Sequence, residues 1–384
     1  MVGARASRRC LWLARSARAR LAIAALLLAA GCVDTSSRAP SGGGASDAGV
    51  ADDGGARDAG NPDGGNGGGG NDAGPPGTDY VAQDLGAGRC TAVDDSGDAL
   101  GTDESGAAFL LAAGQRTSLG ALAGAAATRA TALDASGATI VGYGLDASSR
   151  HALVHESNGW QSPAALAGAW ASPAAVNRAG AVAGTLQVGA PDANRLPTQH
   201  AFLFAGGAVQ DLGTLGGGSS VALAVSENGN VAGLSLTAAE DTHAFLFSGG
   251  KLTDLGTLGG AASAAYGVSS AGTVVGVSET ASGEGHAFVF SGGAMRDLGL
   301  GLARSEARGV SEAGVVAGNW LSAAGATTPF VAYGGEVTPL VVRDAAGKPW
   351  VSLRLEAISS GGVIVGWGRP PGAPSPRCVV WRAK

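Results

Sequence analysis

The chain has 384 residues, a formal net charge of −6, 67 glycines and only 5% aromatic residues. No basic stripe lies outside the arginine-rich start, so nucleic acid is excluded as the expected partner. A folded region of some three hundred residues would strain a single hydrophobic core, so small units that bury one another's faces are expected.

The first twenty residues, "MVGARASRRCLWLARSARAR", hold six arginines and no acid. The apolar run Leu21–Ala30 follows. It is too short to cross a bilayer as a helix, which needs ~20 residues, and a basic, then apolar, then small-residue order reads as a secretion signal. "LLAAGC" resembles a bacterial lipobox, which makes residues 1–31 a lipoprotein signal peptide and Cys32 the lipidated mature N-terminus. Ala29 departs from that pattern, where leucine, valine or isoleucine is usual. Ordinary secretion with cleavage near Ala30 is the alternative. Val33 in place of aspartate after the cysteine favours an outer-membrane lipoprotein of a Gram-negative cell, facing the periplasm or the surface. Losing the leader's six arginines takes the net charge from −6 to −12.

Residues 32–77 are a Gly/Asp-rich polymer with seven aspartates, two arginines and almost nothing large to bury. Such a segment cannot offset the entropy of ordering and is expected to be a disordered, lipid-anchored tether. "GNGGGG" at residues 65–70 matches a dinucleotide fingerprint in letters only, with no strand before it and no helix after it.

From residue 78 to 384 the sequence repeats. "HAFLFAGGAVQDLGTLGG" begins at His200, and "HAFLFSGGKLTDLGTLGG" begins again at His243, 43 positions later. Three landmarks each recur seven times. A turn-and-strand closes on Gly101, Gly142, Gly184, Gly233, Gly276, Gly318 and Gly366, as in "GNVAG" and "GTVVG". A HAF-type strand begins at residues 107, 151, 200, 243, 286, 328 and 377. A DLG-type strand begins at residues 83, 117, 164, 210, 253, 296 and 337. With a further strand before each turn, a unit reads as four short strands joined by glycine-rich turns. About 43 residues per unit is the size of a propeller blade.

The region opens with a DLG strand and closes with a HAF strand, elsewhere the two halves of one hairpin. The expected fold is therefore all-β: a seven-bladed β-propeller of four-stranded blades, its ring closed by the N-terminal strand pairing with the C-terminal strand. Cys90 and Cys378 replace repeating alanines on either side of this seam. They read either as two buried thiols or as a disulfide stapling the ring.

The landmarks "HAFLF-x-GG-x-x-x-DLGTLGG" and "S-x-A-x-x-V-S-x-x-G-x-V-x-G" closely resemble the HAF repeat family of extracellular bacterial repeat proteins. The match is best over 200–299 and looser over 107–168 and 328–381. The resemblance implies an exported protein and no particular activity.

Chemistry-bearing residues follow the repeat. His151, His200, His243 and His286 take the first HAF position, and bonding within or between blades is expected of them. Metal binding is not, because equivalent places on separate blades lie far apart. His151 and His155, four apart on one strand, stand roughly 13 Å from each other, too far to share a zinc ion. Asp84, Asp211, Asp254 and Asp297 recur in the DLG strand and read as turn or inter-blade hydrogen bonds. No metal, cofactor or catalytic motif is expected.

What breaks the repeat are insertions at 186–199 and 341–355 and the tryptophans Trp160, Trp170, Trp320, Trp350 and Trp367. These read as a binding surface or as core filling. The functional expectation is a monomeric cell-envelope lipoprotein, meeting the membrane only through its lipid. Its propeller is expected to be a non-catalytic binding or scaffold module for a glycan or an envelope protein. A propeller lyase or glycan hydrolase with a site at the channel mouth, and a purely structural surface protein, are the alternatives.

Overall fold

The computed structural model describes residues 80–121, 125–145, 150–156, 159–166, 170–189, 198–300, 304–321 and 326–384. The expected signal peptide, Cys32 and the tether lie outside them.

Strands form where short apolar runs are cut by glycine pairs. Gly206–Gly207, Gly249–Gly250, Gly292–Gly293 and Gly334–Gly335 all have positive φ. A two-residue hairpin turn that matches the strand twist needs this at both central positions.

The strands build β-propeller architecture, antiparallel sheets set around a channel. Sheet I comprises Arg89–Val93, Ala99–Thr102, Ala108–Ala112 and Gln115–Ser118. Sheet II comprises Ala127–Leu133, Ile140–Leu145, Arg150–Glu156 and Gly159–Gln161. Sheet III comprises Ala171–Val176, Val182–Val188, Thr198–Ala205 and Ala208–Asp211. Sheet IV has eight strands. Gly216–Val225, Val231–Thr237, Thr242–Ser248 and Lys251–Asp254 form its first half, and Gly259–Val268, Val274–Thr280, Gly285–Ser291 and Ala294–Asp297 its second. Sheet V comprises Arg304–Val310, Val316–Leu321, Thr327–Tyr333 and Glu336–Pro339. The seam sheet joins Val351–Ile358, Ile364–Arg369 and Arg377–Ala383 to Tyr80–Ala87.

The expectation of a seven-bladed propeller of four-stranded blades is corrected by this topology. Five four-stranded blades stand alone, and residues 216–297 form one continuous eight-stranded sheet. A parallel bridge between Thr242 and Ala262 joins its halves. A second correction concerns "AALAG" at 164: Ala164–Leu166 is a 3₁₀ turn, and Gly159–Gln161 is the outer strand of sheet II.

The two ends of the described chain meet in the seam sheet. Tyr80–Ala87 pairs antiparallel with Arg377–Ala383, from Tyr80 opposite Ala383 to Ala87 opposite Arg377. Cys90 and Cys378 form a disulfide between sheet I and the seam sheet, with Cα atoms 5.2 Å apart. The same contact between other neighbours is alanine on alanine: Ala201 with Ala222, Ala244 with Ala265, and Ala287 with Ala307, all fully buried.

Every inner strand carries a bulge at the same place. The extra residues are Thr91, Thr131, Ala174, Leu223, Tyr266, Arg308 and Glu356. Opposite each bulge sits the closing glycine of the repeat. A Cβ at Gly142, Gly233, Gly276 or Gly366 would lie on the carbonyl oxygen of Arg129, Val221, Ala264 or Arg354. The fully buried HAF rings of Phe245 and Phe330 press on Gly233 and Gly318 from the other side. Close approach of backbone, not turn geometry, therefore requires these glycines.

Candidate functional site

The inner strands line one channel of about 500 Å³. They all run from one face, called here the entry face, to the face bearing the "SENG"-type turns. At the turn face the repeating Ser, Asn or Asp caps its own turn, as where Ser226 Oγ accepts from Asn230 N and Asp94 from Asp98 N. Acids there tie neighbouring sheets together. Asp95 accepts from Gly361 N at 2.7 Å, Glu227 from Arg178 N at 3.1 Å and Glu312 from Ser270 N at 3.0 Å. The Arg178 guanidinium closes on Asp95. "DDSGD" at 94–98 thus forms a turn and an inter-sheet tie.

The histidines and DLG aspartates stand near the outer edge of the entry face. Nδ1 of His200, His243 and His286 lies 2.9, 2.9 and 2.7 Å from the carboxylate of Asp211, Asp254 and Asp297. Each aspartate also accepts the backbone N–H two residues on, at 2.8 Å. At the seam Arg377 replaces histidine and meets Asp84 at 2.8 Å. These pairs lie within single sheets or sheet halves. His151 opens the third strand of sheet II. His155 sits edge-on to Trp160, and burial depresses its pKa.

The tryptophans divide by place. Trp160 is a sheet-edge clamp, its Nε1 donating to Leu119 O at 2.9 Å. Trp350 is 9% exposed and packs into the core beside Leu353 and Leu355. Trp320 stacks on Phe330 with centroids 5.6 Å apart. Trp170 lies under the Arg150 guanidinium at 5.4 Å. Trp367 donates to Glu356 at 2.9 Å and carries the Arg89 guanidinium 4.9 Å above its ring. Of the first insertion, residues 190–197 lie outside the described residues. The second folds on Asp344, whose Oδ1 accepts from Ala346 N and Lys348 N.

Sequence reasoning missed the charged wall of the channel. Arg308 Nη2 meets Glu356 at 3.0 Å, Arg354 Nε meets Glu356 at 3.0 Å, and Arg354 Nη2 meets Glu306 at 3.0 Å. Arg308 is enclosed by protein, yet 24% of its side chain stays open, into the lumen it lines. Burial opposes its charge, but Glu306 and then Glu356 outweigh that and hold its pKa above the ordinary arginine value. Tyr266 is pushed up to about 12, by burial first and by Glu306 second, with Arg308 and Arg354 pulling the other way. Beside Tyr266 the wall turns apolar: Val221, Leu234, Ala264 and Val277 form one buried cluster with Leu223 and Tyr266 against it. One signal could have revealed this wall. Among the repeated residues of "VALAVS", "AAYGVS", "EARGVS" and "RLEAIS", the first and third positions change character completely.

No family model matches the chain, and no curated protein matches it. Among solved structures, a puromycin hydrolase S511A mutant complexed with PGG superposes with a TM-score of 0.52 at 16% identity, covering 78% of this chain and 53% of that one. A prolyl endopeptidase superposes with a TM-score of 0.51 at 11% identity, covering 74% and 46%. The β-propeller domain of the Trilobed protease from Pyrococcus furiosus gives 0.47 at 9% identity, covering 66% and 83%. The chain thus spans about half the length of the first two, and at these identities the likeness is one of fold alone.

Proposed function

We propose that the protein is a cell-envelope lipoprotein whose propeller is a non-catalytic binding module, with the entry-face mouth of the channel as its site. The observation that carries this reading is convergence. The scaffold positions repeat, while Tyr266, Arg308, Glu306, Arg354, Glu356, Trp367 and Arg89 break the repeat and meet at one mouth. Both carboxylates are held by guanidinium groups. A fixed-charge wall of that kind suits binding better than the proton exchange a propeller lyase or glycan hydrolase would need.

The direction of the chain supports the envelope role. Tyr80–Ala87 runs toward the entry face, where Asp84 meets Arg377, so the propeller is entered at Tyr80 from the turn face. A tether running from Cys32 to Tyr80 would join the propeller on the face opposite the mouth. The HAF-type repeat and the lipobox-like stretch agree with export. The ligand in this reading is a glycan or an envelope protein.

The full-length chain, expressed with a labelled fatty acid, is expected to take up the label and to lose it in Cys32→Ser. Binding on glycan and envelope-protein arrays is expected to fall at least tenfold in Trp367→Ala. Label retained in Cys32→Ser overturns the anchor, and a ligand bound equally by Trp367→Ala overturns the site.

A further inference from the structure

The channel is electrically polar along its axis. In the two tiers nearest the entry face, the bulge residues and those two places before them, four arginines (Arg89, Arg129, Arg308, Arg354) face two glutamates (Glu306, Glu356). The turn face carries Asp94, Asp95, Asp98, Asp134, Glu227 and Glu312 against Arg178 and Arg382. Those two inner-strand tiers carry an excess of two positive charges, inside an entry-face rim that holds Asp84, Asp211, Asp254 and Asp297, and the turn loops an excess of four negative ones. A narrow low-dielectric channel focuses such a field and draws an anion to its positive mouth.

The arginines are not fully used, whereas the glutamates are. Arg354 bridges Glu306 and Glu356, and Trp367 adds a donor to Glu356. Arg308 gives one Nη to Glu356, and its buried Nε has no acceptor among the described residues. Arg89 lies on Trp367 and Arg129 donates to Gly106 O, and neither forms an ion pair among the described residues. A cation would find both carboxylates occupied, but an anion would find spare guanidinium donors. Tyr266, also in the wall, stays protonated at neutral pH and can donate as well. Val221 and Leu223 also line the lumen and offer apolar surface there, with Thr131, Ser172 and Thr185 as polar lining. The channel below the mouth, about 500 Å³ and lined by Arg308, Glu356, Glu227 and Glu312 among its charged residues, is room for a small ligand or one chain end.

We infer that this mouth takes an organic carboxylate with a short aliphatic arm, the anion set at Arg308 and the arm along Leu223, an inference that rests on the mouth being the binding site. A free aliphatic acid and the C-terminal end of an apolar peptide share this chemistry.

Titration calorimetry on the full chain tests it with hexanoate and N-acetyl-glycyl-leucine, each paired with its amide, and with hexylamine as the opposite charge. At least one acid is expected to bind, with its amide weaker by tenfold or more, as the loss of a charge-assisted hydrogen bond implies. Which acid binds separates the two sources. Arg308→Gln is expected to lose that preference. Because it also breaks a buried pair, Arg89→Gln and Arg129→Gln on the exposed rim are read beside it, each weakening the acid several-fold at low salt. Equal binding of acid and amide, tighter binding of hexylamine, or no binding of either acid overturns the inference. If a glycan or protein ligand then still depends on Trp367, the ligand class alone is wrong. If nothing binds at the mouth, the site falls with it.

Discussion

Sheet IV and the seam sheet solve the same packing problem with different means. In sheet IV the chain is continuous, its neighbouring halves touch through Ala244 and Ala265, and its edge pair is His243 with Asp254. In the seam sheet the outer strand arrives from the far end of the described chain. There the alanine contact becomes the Cys90–Cys378 disulfide, across 288 residues, and the histidine becomes Arg377 on Asp84. Where local connectivity cannot hold neighbours together, a covalent bond and a full ion pair stand in its place. The comparison teaches that the repeat specifies positions, and that the chemistry filling them answers to chain topology.

Five measurements can break or sharpen this contrast, beginning with the largest effect. Gly276→Ala in sheet IV and Gly366→Ala in the seam sheet should each cost more than about 4 kcal/mol in denaturant unfolding, because both put a methyl on a backbone carbonyl. A tolerant Gly366 would show that the seam is not built on the common plan. Replacing both Cys90 and Cys378 by alanine should cost about 3 kcal/mol. Reductant should bring the native protein to the same midpoint and leave the double variant unmoved.

Smaller effects follow. Burial and Glu306 raise Tyr266 to about 12 when folded, above an unfolded value near 10. Its contribution is therefore complete below about pH 10 and is lost as pH rises through the folded value. Phenolate absorbance should show the last step vanish in Tyr266→Phe. His155 runs the other way: its folded pKa is depressed, so stability present above about pH 6.5 declines as pH falls toward the folded value. His155→Phe should flatten that acid slope. Smallest of all, Arg377→Ala and His243→Ala, both partly exposed pairs, should each shift unfolding by no more than about 1 kcal/mol.

Much of the scaffold was legible because it is local. Glycine pairs announced the hairpins, the orphan DLG and HAF strands announced the seam, and the displaced alanines pointed to Cys90 and Cys378. The failures have physical reasons. "AALAG" carries DLG-like spacing, but Trp160 pairs its strand with His155 first and leaves Leu166 to a 3₁₀ turn. The fusion of sheet IV depends on one bridge between backbones 20 residues apart, which no side-chain pattern records. The charged wall stayed hidden because a bulged strand and an unbroken one look alike in letters. Glu306, Arg308, Arg354 and Glu356 come together only when two bulges stand side by side. Trp350, for which binding surface and core filling both stood open, fills the core beside Leu353 and Leu355.

The bulges carry a consequence for how such a molecule changes over time. Backbone and glycine hold each bulge in place whatever side chain it bears, from Ala174 to Tyr266 to Arg308. Mutation there rewrites the lumen without touching the backbone ladders or hairpins, though Arg308, Glu356 and Thr131 also hold contacts between neighbouring sheets. One fold can therefore carry different linings at a handful of sites.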